Sequence, residues 1–301
     1  MKTNVFWTNL NCNKICELLK AQSIIAGVHV VKQLLKLCEY VKRKMVKCKI
    51  LKDSKDRNLQ FQNIMYLRTI FTILGLPILS IDSKKKEMIG NFYRTGSSYT
   101  LEPVQVYDHD FKNFEQGEII PHGIYDVNRN ECYLTIGTTK DTAEFITDYI
   151  EFHWNNSIKN HYPNAEKMVI LCDGGGSNSC RHHVVKEQLQ KLAGRLNIEI
   201  VVAHYPAYCS KWNPIEHKAF CHISRSWQGA VFDSLSIVKE LAEKTTTKKG
   251  FSVTVNINDK TYSTGKKAST EFLKYSEIIF DEFLPRWNYS FTPNYYKLLL
   301  I

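Results

Sequence analysis

The chain has 301 residues, of which 44% are hydrophobic and 23% are charged, and its formal net charge is +10. This composition is sufficient for one large domain and a small one, and it excludes a mainly disordered chain. The most apolar run, residues 69–81, is shorter than the roughly 18 residues of a membrane-spanning helix, so we expect a cytoplasmic protein with no membrane partner. The nine cysteines lack the paired spacing of a zinc site and are expected to be reduced thiols.

The excess positive charge is concentrated at the start of the chain. Residues 1–60 contain 13 Lys and Arg but only 4 Asp and Glu, whereas the remainder contains 27 basic and 26 acidic residues. Such asymmetry predicts a separate module that binds a polyanion. The alternative is a solvated basic helix that binds no partner.

Residues 12–45 show two short helical patterns with a break near Ser23 and Gly27 between them. Apolar residues recur at a spacing of three to four in both patterns: Ile15, Leu18 and Leu19, then Val31, Leu34, Leu35, Cys38 and Val41. Two short helices joined by a tight turn indicate a helix-turn-helix, whose second helix would enter the major groove of DNA. The candidate DNA contacts on the outward face of that helix are His29, Lys32, Gln33, Lys36 and Arg43. We therefore predict a DNA-binding segment with a basic connector over residues 1–56.

From residue 57 onward, strand and helix patterns alternate. Helices are predicted over residues 58–73, 142–155, 181–196 and 213–227. Strands are predicted at ILSID (78–82), on both sides of the turn VNRN (127–130), at MVILCD (168–173) and at IEIVVAHYP (198–206). This order predicts an α/β domain with a mixed sheet, in which the first strands form an antiparallel meander and later strands enter through helical crossovers.

Three carboxylates occupy positions typical of a ligand site. Asp82 and Asp173 each follow an apolar strand run directly, and Glu216 lies at the start of a predicted helix. Ligands of α/β sheets gather at the carboxyl ends of the strands. Carboxylates without clustered His or Cys form a hard-oxygen site that selects Mg²⁺ or Mn²⁺ over zinc, and two such ions can clamp a phosphoryl displacement.

Each of these carboxylates also has a purely structural interpretation. Asp82 and Asp173 could be strand-end charges paired with a nearby lysine or a helix terminus, and Glu216 could compensate a helix dipole. Asp126 is a rival carboxylate, but it lies near a hairpin turn, where aspartate is favoured for local hydrogen bonding. Trp212 borders Glu216 and could stack on an unpaired base, although we expect a buried aromatic side chain there.

Three sequence blocks surround these carboxylates: SIDSKKKEMIGNF (80–92), CDGGGSN (172–178) and SKWNPIEH (210–217). In order and spacing they closely resemble the Rhodopirellula-type DDE transposases of bacterial insertion sequences. The likeness extends over roughly residues 5–290, including DRNLQFQNI, IPHGIYD, TTTKKG and RWNY. The chain departs from the family pattern at residues 207–209, where Ala, Tyr and Cys stand in place of a Pro-Gly-Thr-like turn.

The resemblance implies an RNase H-like catalytic fold. We assign this domain to residues 57–301, including a C-terminal extension to which the resemblance does not reach. The resemblance also implies that Asp82, Asp173 and Glu216 are the catalytic residues and hold the metal, Mg²⁺ or Mn²⁺, as two ions. It further implies nicking at transposon ends and attack of the freed 3′-OH on target DNA.

The implied partners are duplex DNA at transposon ends and targets, with Lys211 as a further DNA contact. We also expect a homo-oligomer on DNA and a nucleoid-associated protein. Two alternatives remain: a truncated, non-catalytic protein that occupies transposon ends as a repressor, and a metal-dependent nuclease that cuts without joining. The intact carboxylates favour an enzyme over the repressor, but they do not separate the nuclease from the transposase.

Overall fold

The computed structural model describes residues 8–44, 55–110, 116–175 and 180–293. Three predicted segments lie partly outside these ranges: the basic connector, the glycine-rich block at 172–178 and the C-terminal extension. The chain divides into two units, Met1–Leu51 and Lys52–Ile301. Within the described ranges, no helix combines the length and the apolar character that crossing a membrane requires.

The described part of the first unit contains the two predicted helices, α1 (Cys12–Ala21) and α2 (Val28–Leu37). Asn11 caps α1, because its side chain accepts a hydrogen bond from the Lys14 N–H at 2.8 Å. The prediction of two short helices is thus confirmed.

The extent and the burial of α2 differ from the prediction. Because α2 ends at Leu37, Cys38, Val41 and Arg43 do not lie on it. Among the apolar residues expected to face inward, only Val31 is buried, whereas Leu34 remains 48% exposed. Two ten-residue helices have too little surface to enclose a core of their own, so apolar periodicity here does not produce burial.

A mixed sheet forms the centre of the second unit. The strands are β1 (Ile78–Ser83), β2 (Glu87–Ile89), β3 (Gly117–Asp126), β4 (Glu131–Gly137), β5 (Lys167–Cys172), β6 (Glu199–His204), β7 (Ser252–Asn258), β8 (Ile279–Phe280) and β9 (Asn288–Phe291). Their order in the sheet is β7-β4-β3-β1-β5-β6-β9-β8, and β2 pairs with β3 outside that path. The strands β1, β3 and β4 form the predicted antiparallel meander, whereas β1, β5 and β6 run parallel. This arrangement confirms the expected RNase H-like α/β fold.

Helices cover both faces of this sheet. The helices are α3 (Arg57–Ile73), α4 (Ala143–His153), α5 (Lys159–His161), α6 (His183–Leu196), α7 (Cys221–Ser226), α8 (Leu235–Glu243) and α9 (Thr270–Tyr275). All four predicted helices are present, and α8, α9 and the strands β7 to β9 are additions that our sequence analysis did not predict. A π-helical turn, Trp154–Ile158, joins α4 to α5, and a second one, Glu216–Phe220, leads into α7.

Alternation along β1 determines which face carries the chemistry. Leu79 and Ile81 belong to the core beneath α4 and α6, whereas Ile78 belongs to the core beneath α3. Successive side chains of a strand point to opposite faces, so Ser80 and Asp82 share the face of Ile78. The buried residues Ile215 and Phe220 of the Glu216 segment cover a neighbouring part of the sheet, next to β3 and β4.

Gly123 allows the Glu216 segment to approach the sheet closely. It lies opposite Asp82 in the β1–β3 register, and an added Cβ would lie 2.7 Å from Ile215 Cδ1 and 2.8 Å from Phe220 Cε1. Both of these side chains are buried, so the added methyl group would have to displace packed side chains.

We therefore expect Gly123→Ala to lower the free energy of unfolding by about 1–3 kcal/mol through overpacking. Denaturant titration followed by circular dichroism measures this change. Gly27→Ala is the control, because its methyl group meets no atom within 4 Å. Equal stability of the two variants would contradict the close approach.

Candidate active site

The parallel pairing of β1 and β5 brings two aspartates to one edge of the sheet. Ser80 pairs with Leu171, and continuing that register by two residues places Asp82 beside Asp173, immediately after β5. Asp82 is the penultimate residue of β1 and is 7% exposed. The two carboxylates therefore share a sheet edge and a face.

Glu216 reaches the same edge from a helical segment. It opens the π-helical turn Glu216–Phe220 and is half-buried. Ile215 and Phe220 are buried on either side of this turn, and they anchor it against the sheet. Burial and the charge of Asp173 raise the pKa of Glu216, and the Lys84 ammonium group, which lies 2.9 Å from Glu87, partly offsets this rise.

Asn213 ties the Glu216 segment to β1. It is fully buried, and its Nδ2 donates to the Ile81 carbonyl at 3.0 Å and also hydrogen-bonds the Asp82 carboxylate. The Ser80 hydroxyl donates to Asn213 Oδ1 at 2.5 Å and accepts from the Ile215 N–H at 3.0 Å. These four hydrogen bonds fix Glu216 relative to Asp82.

A second network supports Asp173. The ring of His204, at the end of β6, lies with Nδ1 2.9 Å from the Asp173 carbonyl and with Nε2 2.8 Å from the Tyr289 hydroxyl. Burial lowers the pKa of His204 to about 4, so its neutral ring donates to the carbonyl and accepts from the hydroxyl. Our sequence analysis missed His204, Tyr289 and Ser80; the position of His204 at the end of an apolar strand was the only available signal.

The three carboxylates interact electrostatically. Burial, followed by the charge of Asp173, raises the pKa of Asp82 to about 7 and also raises the pKa of Glu216. Burial likewise raises the pKa of Asp173. A hydrogen bond with the Asp82 carboxyl group lowers the pKa of Glu216 and partly offsets this rise.

The geometry of the carboxylates is open rather than that of a preformed metal cage. Across the described ranges, no set of three or more His, Cys, Asp or Glu side chains is arranged to hold a metal ion. Asp82 and Glu216 interact through a hydrogen bond, while the charge of Asp173 raises the pKa of both. A divalent cation would relieve the mutual repulsion of these groups, and their oxygen atoms are the ligands that Mg²⁺ and Mn²⁺ prefer.

Asp126 has a structural role at the β3–β4 turn. It is fully buried, and the Tyr162 hydroxyl donates to both of its oxygens at 3.0 and 2.9 Å. The backbone N–H groups of Asn128 and Arg129 donate to its Oδ1 as well. Because its oxygens already accept these hydrogen bonds, the role of Asp126 is to stabilise the turn.

The predicted DNA contacts fall in three places. His29, Lys32, Gln33 and Lys36 are exposed on one face of α2, where His29 Nε2 lies 3.3 Å from Gln33 Nε2. Arg43 is exposed but lies beyond the end of α2, so its assignment to that helix is wrong. Lys211 lies in the 3₁₀ turn Ser210–Trp212, five residues before Glu216.

Trp212 differs from our expectation of a buried aromatic residue. Its side chain is 55% exposed, whereas Trp154 and Trp227 are 1% and 2% exposed. The 3₁₀ turn before Asn213 holds the indole outside the core.

A groove of the second unit is separate from the carboxylates. It has a volume of about 840 Å³ and lies between the starts of α4 and α6 and residues 263–273. None of the three carboxylates lines it, although Arg181, Lys266 and Lys267 do. The candidate site is therefore a sheet edge rather than an enclosed pocket.

A family model described as Rhodopirellula transposase DDE domain matches residues 1–293. No curated protein matches the chain. Solved structures of Mos1 transposase are similar to it at low identity. A paired-end complex with the left transposon end has 15% identity and a TM-score of 0.44 over 80% of this chain and 72% of that one. A paired-end complex with Mn has 13% identity and a TM-score of 0.46 over 80% and 71%.

The raised pKa of Asp82 leads to a prediction about stability and pH. The Asp82 carboxyl group titrates near pH 7 when folded and near 3.8 when unfolded, so the metal-free chain loses stability as the pH rises through this window. Asp82→Asn removes the charge, while its side-chain oxygen can still accept from the Ser83 N–H. We expect this variant to melt at least about 3 °C above wild type at pH 8, with the gain disappearing towards pH 4.

Thermal unfolding in the presence of a chelator, from pH 4 to pH 8, measures this difference. Asp259→Asn, at an exposed position, should follow the wild-type curve throughout. Parallel curves for wild type and Asp82→Asn would show that the charge of Asp82 does not destabilise the folded chain.

Proposed function

Because this chain belongs to the family of Rhodopirellula transposase DDE domains, and is therefore a DDE transposase, we propose that it nicks DNA at transposon ends and joins the freed 3′-OH to target DNA. The observation that carries this proposal is the convergence of Asp82, Asp173 and Glu216 at one sheet edge. These three residues are the proposed catalytic group.

We further propose that the same carboxylates hold two divalent ions, Mg²⁺ or Mn²⁺. When bound, such ions supply an activated attacking oxygen and stabilise the leaving oxygen of an in-line displacement. The residues fit this role because their donors are hard oxygens and because burial and the charge of Asp173 raise the pKa of both Asp82 and Glu216. The proton on Asp82 must leave before that carboxylate can bind a cation, so ion binding and protonation compete.

The remaining contributions come from the protein. Asn213 and Ser80 keep Glu216 aligned with Asp82, and His204 holds the backbone at Asp173. Lys84 offsets part of the negative charge near Glu216 and lies 4.6 Å above the Trp227 ring. A fixed arrangement of this kind lowers the cost of reorganising charges during the reaction.

We propose that residues 1–56 bind the transposon ends and that residues 57–301, including a C-terminal extension, carry out catalysis. Support for the first part is the exposed face of α2 that carries His29, Lys32, Gln33 and Lys36. Arg43 and Lys211 are proposed as further DNA contacts. A homo-oligomer on DNA would allow the protein to act on two transposon ends. Because its substrate is DNA, we also propose that the protein is located at the nucleoid.

The decisive variant is Glu216→Gln, which keeps the shape of the side chain and removes its charge. We expect strand joining to fall on the order of a hundredfold or more, because stabilisation of developing charge is a large catalytic contribution. Purified protein, labelled end DNA, a plasmid target and Mn²⁺ form the assay. Glu240→Gln is the control, since Glu240 is exposed on α8 and pairs with Lys244.

The products separate the candidate functions. Joined DNA from wild type, absent with Glu216→Gln, supports a transposase that cuts and joins. Nicked DNA without joining would identify a nuclease, and end binding without either product would identify a repressor.

Binding of DNA is tested with a change of three charges in the first unit. We expect Lys32→Gln, Lys36→Gln and Arg43→Gln together to weaken duplex binding at least tenfold and to lower the salt slope by about one for each phosphate that is no longer neutralised. The matched control removes three exposed lysines of the second unit, Lys248, Lys249 and Lys274. Fluorescence anisotropy over a salt series measures both. An equal reduction of affinity in the two triple variants would show that only total charge matters.

A further inference from the structure

Two aromatic side chains project from the segment that leads to Glu216. Tyr208 is 74% exposed and Trp212 is 55% exposed. Tryptophan is a residue that folded chains largely bury, and Trp154 and Trp227 follow that rule. An exposed indole next to the candidate active site indicates a surface that binds a ligand.

The exposed indole is held in place. Phe61 of α3 meets the Trp212 ring edge-on, with centroids 6.3 Å apart and an interplanar angle of 80°. The backbone N–H of Trp212 donates to the Cys209 carbonyl at 2.9 Å, and Cys209 is buried. The backbone bond fixes where the side chain begins and the Phe61 ring restrains its orientation, so the indole is preorganised for a partner.

The backbone at Tyr208 has an unusual conformation. Its φ is +60°, in the left-handed region that favours glycine, and a side chain there costs on the order of 1–2 kcal/mol. The tyrosine ring has little contact with the protein to offset this cost, because it is 74% exposed.

The position of these aromatic residues relates them to the carboxylates. Asn213 directly follows Trp212, and its side chain binds the Ile81 carbonyl next to Asp82. Glu216 lies one helical turn further along the chain. The aromatic surface therefore borders the place where the proposed reaction occurs.

A cationic group accompanies this surface. The Lys211 Nζ lies 5.6 Å from the centroid of the Trp212 ring. Aromatic rings combined with cationic side chains are the usual means of binding unpaired nucleic acid, because each base has a face that can stack and each phosphate a charge. An apolar protein partner would favour a wider apolar patch without the lysine.

We propose that Trp212, together with Tyr208, is a stacking platform for an unpaired nucleobase of the DNA strand at the cleavage site, and that Lys211 contacts its phosphate. This inference rests on the proposed function, because it takes DNA as the substrate of the three carboxylates. It adds a preference for locally unpaired DNA.

The test compares three probes of the same length: a duplex with a short fork of unpaired nucleotides, the same fork built from abasic nucleotides, and a fully paired duplex. The full chain carries Glu216→Gln so that the probes stay intact. We expect Trp212→Ala to weaken binding of the forked probe about tenfold, since stacking contributes roughly 1–3 kcal/mol per base. Binding of the abasic and paired probes should change less than about twofold, and Trp212→Phe should retain most of the affinity for the fork.

Two controls complete the design. Phe283→Ala removes another aromatic side chain, 81% exposed, and should leave all three affinities unchanged. Lys211→Gln should weaken the normal and abasic forks equally, because it acts on the phosphate. Three outcomes would overturn the stacking platform. They are an equal loss of affinity for all three probes in Trp212→Ala, no loss of affinity in that variant, and no preference of the parent chain for the fork.

Cleavage is measured separately, on the chain with Glu216 intact and with Mn²⁺ present. If the chain cuts DNA but binds the fork independently of Trp212, the proposed function stands and the stacking platform is wrong. If the chain binds the fork through Trp212 but neither cuts nor joins DNA, the stacking platform stands and the proposed function is wrong.

Discussion

The hydrogen bonds of Asn213 determine whether this protein has one site or three separate carboxylates. Asp82 belongs to a strand and Glu216 to a helical segment, and the Asn213 amide connects the two without solvent. Its partner Ser80 holds the Ile215 N–H at the same time. Loss of either side chain would leave buried polar groups unsatisfied, which costs about 1–3 kcal/mol for each group. Alignment of the site and stability of the fold therefore depend on the same contact.

Two buried aspartates show how surroundings separate chemistry from structure. Burial raises the pKa of both, but Asp126 receives hydrogen bonds from Tyr162 and from two backbone N–H groups. Asp82 lies instead beside two further carboxylates, which add to the effect of burial. Saturated oxygens make Asp126 part of a turn, whereas the repulsion at Asp82 is a condition that a cation or a proton can relieve. Both residues are aspartates near the end of a strand, so the difference between them comes from the neighbouring side chains.

Much of the fold was accessible from periodicity. The helices around Ile64, Ile146 and Leu189 have apolar stripes that fit the α-helical period, and the strands before Asp82 and Asp173 are short apolar runs. The strand β7 was not predicted, although residues 251–258, FSVTVNIN, alternate apolar and polar side chains as a half-buried strand does. Its pairing with β4 joins residues more than a hundred positions apart, and the local alternation does not indicate which strand is the partner.

Asp82 and Asp173 could be named from the amino-acid sequence, because each directly follows an apolar strand run, and ligands of α/β sheets gather at the carboxyl ends of the strands. Glu216 follows no strand, and the family resemblance indicated its role. How these residues are held, and what surrounds them, became known only from the folded chain. Asn213 and Ser80 are 133 positions apart, and their hydrogen bond exists only when the segment before α7 packs against β1. The exposure of Trp212 and the end of α2 before Arg43 likewise depend on which surfaces remain uncovered. Burial is a property of the folded surface, and a residue's own neighbours in the chain do not encode it.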